Sequence, residues 1–193
     1  MMIIEIVTEW RLRELEKHRK LRDEGFIEVT DLMRCPLKRE FEVRYPDLYR
    51  ASAYTPATIL GSLVHIGLES ILSNELNAEI EVRGEKTIGE HRIFGKIDAK
   101  VGKVGIEIKT SRADFEIPYE HHILQAKIYN WLFDLDKTIL VYITPDRVTE
   151  FIVDERVDED EILKMIVDKT TPKYDWECRY CHFSLLCPSR KKK

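Results

Sequence analysis

Hydrophobic and polar positions follow two rhythms along this chain, and the changes of rhythm mark its elements. Over residues 5–24 strong helix formers dominate, with Trp10, Leu12, Leu15 and Leu21 set among charges, which predicts an amphipathic, mostly exposed helix closed by Gly25. Thr30 or Asp31 caps a second predicted helix that runs to Tyr45 with a break at Pro36, so Cys35 is expected on helical structure. Residues 58–73 predict a third helix, with Leu60, Leu63, Val64, Leu68, Ile71 and Leu72 on its buried side and His65 in its middle. From residue 78 the period falls to two, and residues 80–87, 92–101 and 104–110 read as antiparallel strands. Pro118 opens a helix that reaches residue 133, strands follow over 137–143 and 149–153 around a turn at Pro145-Asp146, and residues 159–169 form a last helix. The stretch after Pro172 has too few apolar residues to dock firmly by burial and is expected to be tied down by its cysteines. Three parts are expected: a helix over 1–27 with no assigned role, a core over 28–171, and a cysteine-bearing tail over 172–193.

Composition narrows the class. Apolar residues make up 44% of the 193 positions and charged ones 34%, with few glycines and prolines, which leaves disorder, collagen-like repeats and membrane spans without support. Residues 1–7 include an acid and lack a basic flank, so no secretory signal is read there and a cytoplasmic location is expected. A net charge of -4 is not that of a general nucleic-acid binder. Charge is uneven, however, with basic stretches at 11–22 and 190–193 and an acidic one at 154–161, so basic patches coexist with a negative total.

The chemistry begins at Val101-Gly102-Lys103-Val104, which fits a two-residue hairpin loop with glycine at positive φ. That loop pairs Val101 with Val104 and, continued, sets Asp98 opposite Glu107 and Lys96 opposite Lys109. Facing Cβ atoms lie about 5 Å apart, close enough for two carboxylates to share one divalent cation. Glu107 and Lys109 then share a face while Ile106 and Ile108 point into a core. A three-residue loop would instead separate Asp98 from Glu107 by face. A hard cation between carboxylates, with a lysine beside the attacking water, is what phosphodiester hydrolysis requires. The competing reading is a solvated strand face of alternating charge. His65, in the middle of an apolar helix, reads more readily as a satisfied core histidine than as a ligand. Gln125 and Tyr129, four apart, share a helix face that is either packed or functional. His121 and His122 are exposed polar residues or DNA contacts.

Cys35 stands alone, and Cys178, Cys181 and Cys187 fall within ten residues of one another. Thiols so grouped in a reducing compartment point to a metal site rather than disulfides. Four thiolates suit zinc or an iron-sulfur cluster; Cys35-Pro36 and Cys187-Pro188 resemble the Cys-Pro ends of ferredoxin motifs, which favours iron. Either metal would close a loop of about 140 residues.

In this order the motifs resemble the RecB-like branch of the PD-(D/E)xK nucleases. Gly61-Ser62-Leu63-Val64-His65 is similar to its Gly-x-x-x-His motif, Gly95-Lys96-Ile97-Asp98 to its Gly-x-x-Asp strand, Glu107-Ile108-Lys109 to Glu-x-Lys, and Gln125-Ala126-Lys127-Ile128-Tyr129 to Gln-x-x-x-Tyr. With the cysteines added, the chain from about residue 28 to 190 resembles the stand-alone iron-sulfur exonucleases of CRISPR loci, CRISPR-associated protein family four. The resemblance implies an α/β (α+β) restriction-endonuclease-like core with a mixed central sheet flanked by helices. It implies that His65, Asp98, Glu107 and the carbonyl of Ile108 hold Mg²⁺ or Mn²⁺, that Lys109 acts on the water, and that Gln125 and Tyr129 position DNA. It further implies a 4Fe-4S or 2Fe-2S cluster on Cys35, Cys178, Cys181 and Cys187, with zinc as the alternative. The substrate implied is the end of single-stranded DNA and the setting is spacer acquisition beside the CRISPR integrase. A repair nuclease working with a separate helicase and a non-catalytic, cluster-stabilised DNA-binding protein are the alternatives. The proline that usually precedes the aspartate is Ile97 here, and the helix before residue 25 has no counterpart in the resemblance.

Overall fold

The computed structural model describes residues 2–52 and 55–191, with the backbone alone for 18–23; the side chains of Leu21 and Arg22, and all of Lys192 and Lys193, lie outside the described residues. Helix α1 (Ile3–Asp23) ends at Gly25, whose φ of 85° suits glycine. A short strand β1 (Phe26–Glu28) follows, then helices α2 (Val29–Leu32), α3 (Pro36–Arg44), α4 (Pro46–Ala51) and α5 (Pro56–Leu76). Three strands, β2 (Glu79–Ile88), β3 (His91–Val101) and β4 (Val104–Thr110), lead to helix α6 (Glu120–Leu132). Strands β5 (Lys137–Ile143) and β6 (Val148–Val153) and helices α7 (Glu159–Val167) and α8 (Glu177–Tyr180) complete the chain.

The strands form one mixed sheet. β2, β3 and β4 are antiparallel neighbours, β4 and β5 run parallel, β5 and β6 antiparallel, and β1 adds to β3 in parallel. One face is covered by α6, with Ile97, Ile128, Tyr129 and Leu132 among the buried side chains. The other lies under α5, where Leu68 and Leu72 meet Ala99, Ile106 and Val141. By length and apolar composition alone α5 could cross a membrane; here it lies along the sheet.

Several expectations are corrected. Cys35 is not helical but the residue before α3, at φ -51° and ψ 120°, because the ring of Pro36 disfavours the α region for its predecessor. Leu60, Leu63 and Ile71 are exposed, not buried. α5 is apolar nearly all round, so its stripe could not be read from apolar positions; the inward face carries His65, Leu68, Glu69 and Leu72. The first turn of α6 starts after Tyr119, two residues later than Pro118. The tail does bury a side chain: Phe183, 1% exposed, lies with its ring centre 5.8 Å from that of Phe41 and 6.5 Å from that of Tyr45.

Candidate active site

β3 is shared. β2 runs along one of its edges, but on the other β1 pairs only with Arg92–Phe94 and β4 only with Ala99–Val101, so between them the edge from 95 to 98 has no strand partner among the described residues. The site is built in that gap. The hairpin turns through Gly102, at φ 57°, and its register begins as the two-residue loop dictates, with Val101 against Val104 and Ala99 against Ile106. It then stops. The ladder does not continue to Asp98 and Glu107, nor to Lys96 and Lys109, because the Asp98 side chain takes the place of a strand carbonyl and accepts the Ile108 amide N–H at 2.7 Å. Lys96 instead pairs with Arg83 on β2, and its Nζ donates to Glu81. Glu81, opposite the gap, holds φ 51°, an uncommon conformation for a side-chain-bearing residue.

Asp98 is approached from the α5 face. Its Oδ1 lies 3.3 Å from His65 Nδ1, and one donor atom each of His65, Glu69 and Asp98 falls within 4.8 Å of the others. Glu69 was missed from sequence, although it sits four residues after His65 and therefore on the same helix face. Gly61 lets this helix come close, since a Cβ there would meet Thr110 Oγ1 at 3.0 Å.

Glu107 and Lys109 project to the α6 face. Lys109 Nζ donates to Glu107 Oε1 at 2.8 Å and to Gln125 Oε1 at 2.6 Å, Gln125 Nε2 donates to Tyr129 Oη at 3.0 Å, and that hydroxyl donates to the Lys96 carbonyl at 2.8 Å. Gln125 and Tyr129 are thus buried residues whose polar atoms serve Lys109 and the free carbonyl in the gap. Gly95 admits the ring of Tyr129.

The electrostatics are strained by like charge. Burial and the Asp98 carboxylate push the Glu107 carboxyl up to about 7 despite Lys109. Burial, with Asp98 and Glu81, also raises Glu69. Burial lowers His65, but its hydrogen bond to Asp98 and that carboxylate's charge outweigh it and leave the imidazole above its ordinary value. Glu107 Oε2 is buried with no hydrogen-bond partner. The imidazole and carboxylate donors of His65, Glu69 and Asp98, with the orphaned Glu107 oxygen across the gap, fit a hard divalent cation, which would relieve the repulsion.

Two clefts open on the gap and share Lys96. One, of about 640 Å³, runs between α5 and α1, with His65, Glu69 and Asp98 on one wall and Trp10, Arg11 and Lys17 on the other. The second, of about 420 Å³, contains Glu107, Lys109, Gln125 and Tyr129 and is bounded by His121, His122, Tyr174 and Trp176. Farther along the tail, Cys178, Cys181 and Cys187 meet Cys35, and all four are free thiols around one cavity of about 110 Å³. Burial raises the thiols of Cys35 and Cys181, and Cys187 adds to both shifts. Four thiols facing one space fit a thiolate-bound metal centre.

No family model matches the chain. Over 200 aligned residues it is 42% identical to the CRISPR-associated exonuclease Cas4 of Saccharolobus solfataricus, an alignment that covers 96% of this chain and 99% of that protein. The chain belongs to the Cas4 family. The crystal structure of SSO0001 overlays it with a TM-score of 0.95 at 41% identity, covering 100% of this chain and 98% of the other. An alkaline exonuclease (LHK-Exo) from Laribacter hongkongensis shares the fold alone, at TM-score 0.54 and 13% identity over 74% of this chain and 86% of its own. This Cas4 family member is therefore a CRISPR-associated nuclease, and its mixed sheet flanked by helices has the fold of that alkaline exonuclease. The likeness to SSO0001 also takes in α1, so the N-terminal helix does have a counterpart.

Proposed function

We propose that this protein is a divalent-metal-dependent exonuclease acting on the ends of single-stranded DNA. The observation that carries the reading is the gap in β3, where His65, Glu69 and Asp98 converge from the α5 face while Glu107, with its partnerless oxygen, and the ammonium of Lys109 stand on the α6 face, near enough for Asp98 to raise the Glu107 carboxyl. Mg²⁺ or Mn²⁺ held by His65, Asp98, Glu107 and the Ile108 carbonyl, with Glu69 as a further donor, would supply Lewis acidity toward the phosphodiester and the attacking water. The residues do the rest. Asp98 is oriented by the Ile108 amide, so its second oxygen stays turned toward His65. Lys109 has three N–H donors, two of them committed to Glu107 and Gln125, and the third is left for a phosphoryl oxygen or the water. Gln125 and Tyr129 act through Lys109, holding it at a fixed position along the gap.

The tail carries a 4Fe-4S cluster on Cys35, Cys178, Cys181 and Cys187 in this reading, with 2Fe-2S or zinc as the other occupants of the same thiols. The functional division is a helix over 1–27, a nuclease core over 28–171 and a cluster tail over 172–193. In this reading the enzyme works in the cytoplasm, in spacer acquisition beside the CRISPR integrase; its Cas4 relative supports the CRISPR association. The test incubates anaerobically purified protein with end-labelled single-stranded DNA and Mn²⁺, with and without EDTA. Asp98→Ala, Glu107→Ala and Lys109→Ala are each expected to slow cleavage by about a hundredfold or more with the fold intact. Undiminished cleavage by a folded Glu107→Ala protein rejects the site. Iron and sulfide analysis of the same sample decides the cluster: zinc without iron replaces it, and no metal removes it.

A further inference from the structure

The second cleft carries a feature that metal-dependent hydrolysis does not use. Its outer wall is a set of rings drawn from two distant parts of the chain. Tyr174 and Trp176, on the tail, stack with centroids 5.7 Å apart and planes 14° from parallel. His121, at the start of α6, lies 5.0 Å from Trp176 and 5.6 Å from Tyr174, and is itself stacked on Tyr119 at 5.7 Å and 6°. Trp176 is left 43% exposed, a large aromatic surface in water beside the cleft that holds Glu107 and Lys109.

The imidazoles here are not cations. Burial lowers His121, and Lys109 lowers it further; the same two causes bring His122 down to about 2, while its Nδ1 contacts Tyr142 Oη at 2.5 Å. At neutral pH the imidazoles of the wall therefore offer neutral π faces, and the cations of the cleft are Lys109, Lys96 and Arg34, set among the carboxylates of Glu28, Glu107 and Glu177. Flat neutral rings at the mouth and a cation at the floor match a nucleotide laid base outward and phosphate inward. A cleft of about 420 Å³ lies within the range that small ligands of this size occupy. A base pair inside a duplex is stacked on both sides, and the end pair, which has one free face, is tied to its partner strand and cannot enter the cleft singly.

We propose that Trp176, with Tyr174 and His121, is a stacking platform for an unpaired base of the DNA strand whose phosphate lies at Glu107 and Lys109. The cysteine tail then has a task in substrate choice, because it delivers two of the three rings. This inference rests on the nuclease reading and deepens it.

The test measures equilibrium binding of fluorescent oligothymidylate and of a blunt duplex of equal length, in Ca²⁺ so that neither is consumed. Three variants of the full protein are compared: Trp176→Ala, Trp176→Leu, which keeps apolar bulk without a ring, and Trp176→Phe. The platform predicts that Ala and Leu weaken single-strand binding roughly tenfold, that Phe stays within about threefold of wild type, and that duplex binding changes by less than about twofold. Thermal melting and iron content are read on each sample. If Leu and Phe bind the single strand equally well, the rings only dock the tail and the proposal fails. Equal losses on single strand and duplex also overturn it. The parent reading has its own check, Mn²⁺-dependent hydrolysis of bis(p-nitrophenyl) phosphate by wild type: its absence sinks the nuclease assignment, whereas a normal rate with unaltered Trp176→Ala binding sinks the platform alone.

Discussion

Glu107 gives one carboxylate oxygen to Lys109 and buries the other without a partner, so in the metal-free protein its ionised form is opposed by burial and by Asp98. Its folded pKa, about 7, lies above the ordinary 4.5. A carboxyl raised in this way contributes stability that is fully present below the unfolded value and is lost as pH rises through the folded one. Glu107→Gln removes the titration and should make the cation-free protein more stable than wild type at pH 8, by on the order of 2 kcal/mol, with the advantage gone near pH 4.5. Urea denaturation of both proteins across that window is the measurement. A difference that does not vary with pH would mean that Glu107 is not held against its charge. Adding Mn²⁺ should reverse the order at pH 8, since the cation favours the ionised carboxylate that glutamine lacks.

At the scale of elements, the approach of α6 to β3 depends on Gly95. A Cβ there would meet Leu132 at 2.6 Å, Tyr129 at 3.0 Å and Val29 at 3.1 Å, three side chains that belong to the core. Gly95→Ala is expected to destabilise the protein by roughly 1–3 kcal/mol. Pushing α6 outward also strains the Tyr129 bond to the Lys96 carbonyl, so cleavage per folded molecule should fall as well, which thermal melting and single-turnover rates separate. An unchanged melting temperature would count against this packing.

The same elements mark how far the sequence could be read. The long strands were legible because period-two alternation and a glycine turn act locally, and the predicted 92–101 and 104–110 differ from β3 and β4 by a residue at most. β1 was not, because three residues carry no period and its partner Arg92–Phe94 is remote in sequence. Asp98, Glu107 and Lys109 could be named from the hairpin, but the register implied a continuous ladder, and only three dimensions show that β3 is divided between two partners. Glu69 escaped because an acid on an apolar helix looks like ordinary surface until Asp98 is set beside it.

For the whole molecule, the tail is what docks back onto the segment from α2 to α3. Glu177 accepts the Cys35 amide at 2.7 Å, Lys173 donates to the Leu32 carbonyl at 2.6 Å, and Phe183 fills the space beside Phe41. Burial therefore anchors the tail alongside the metal proposed for the thiols. Cys178→Ser should lose metal, lower the melting temperature and expose the chain near residue 172 to limited proteolysis, yet leave the tail partly protected by Phe183. Phe183→Ala should cost about 3–5 kcal/mol by itself. Complete tail protection in both variants would show that neither anchor matters.

The bond between the Cys35 amide and Glu177 spans 142 positions, and a chain made from its N-terminus forms such a contact last. Every strand of the sheet has been synthesised before Tyr174, Trp176 and three of the four cysteines leave the ribosome. A message cut short just before Tyr174 would yield Asp98, Glu107 and Lys109 in a chain with no ring wall and no closed thiol cavity. Such a product carries an undocked end, and its survival becomes a race between degradation and whatever DNA it meets first.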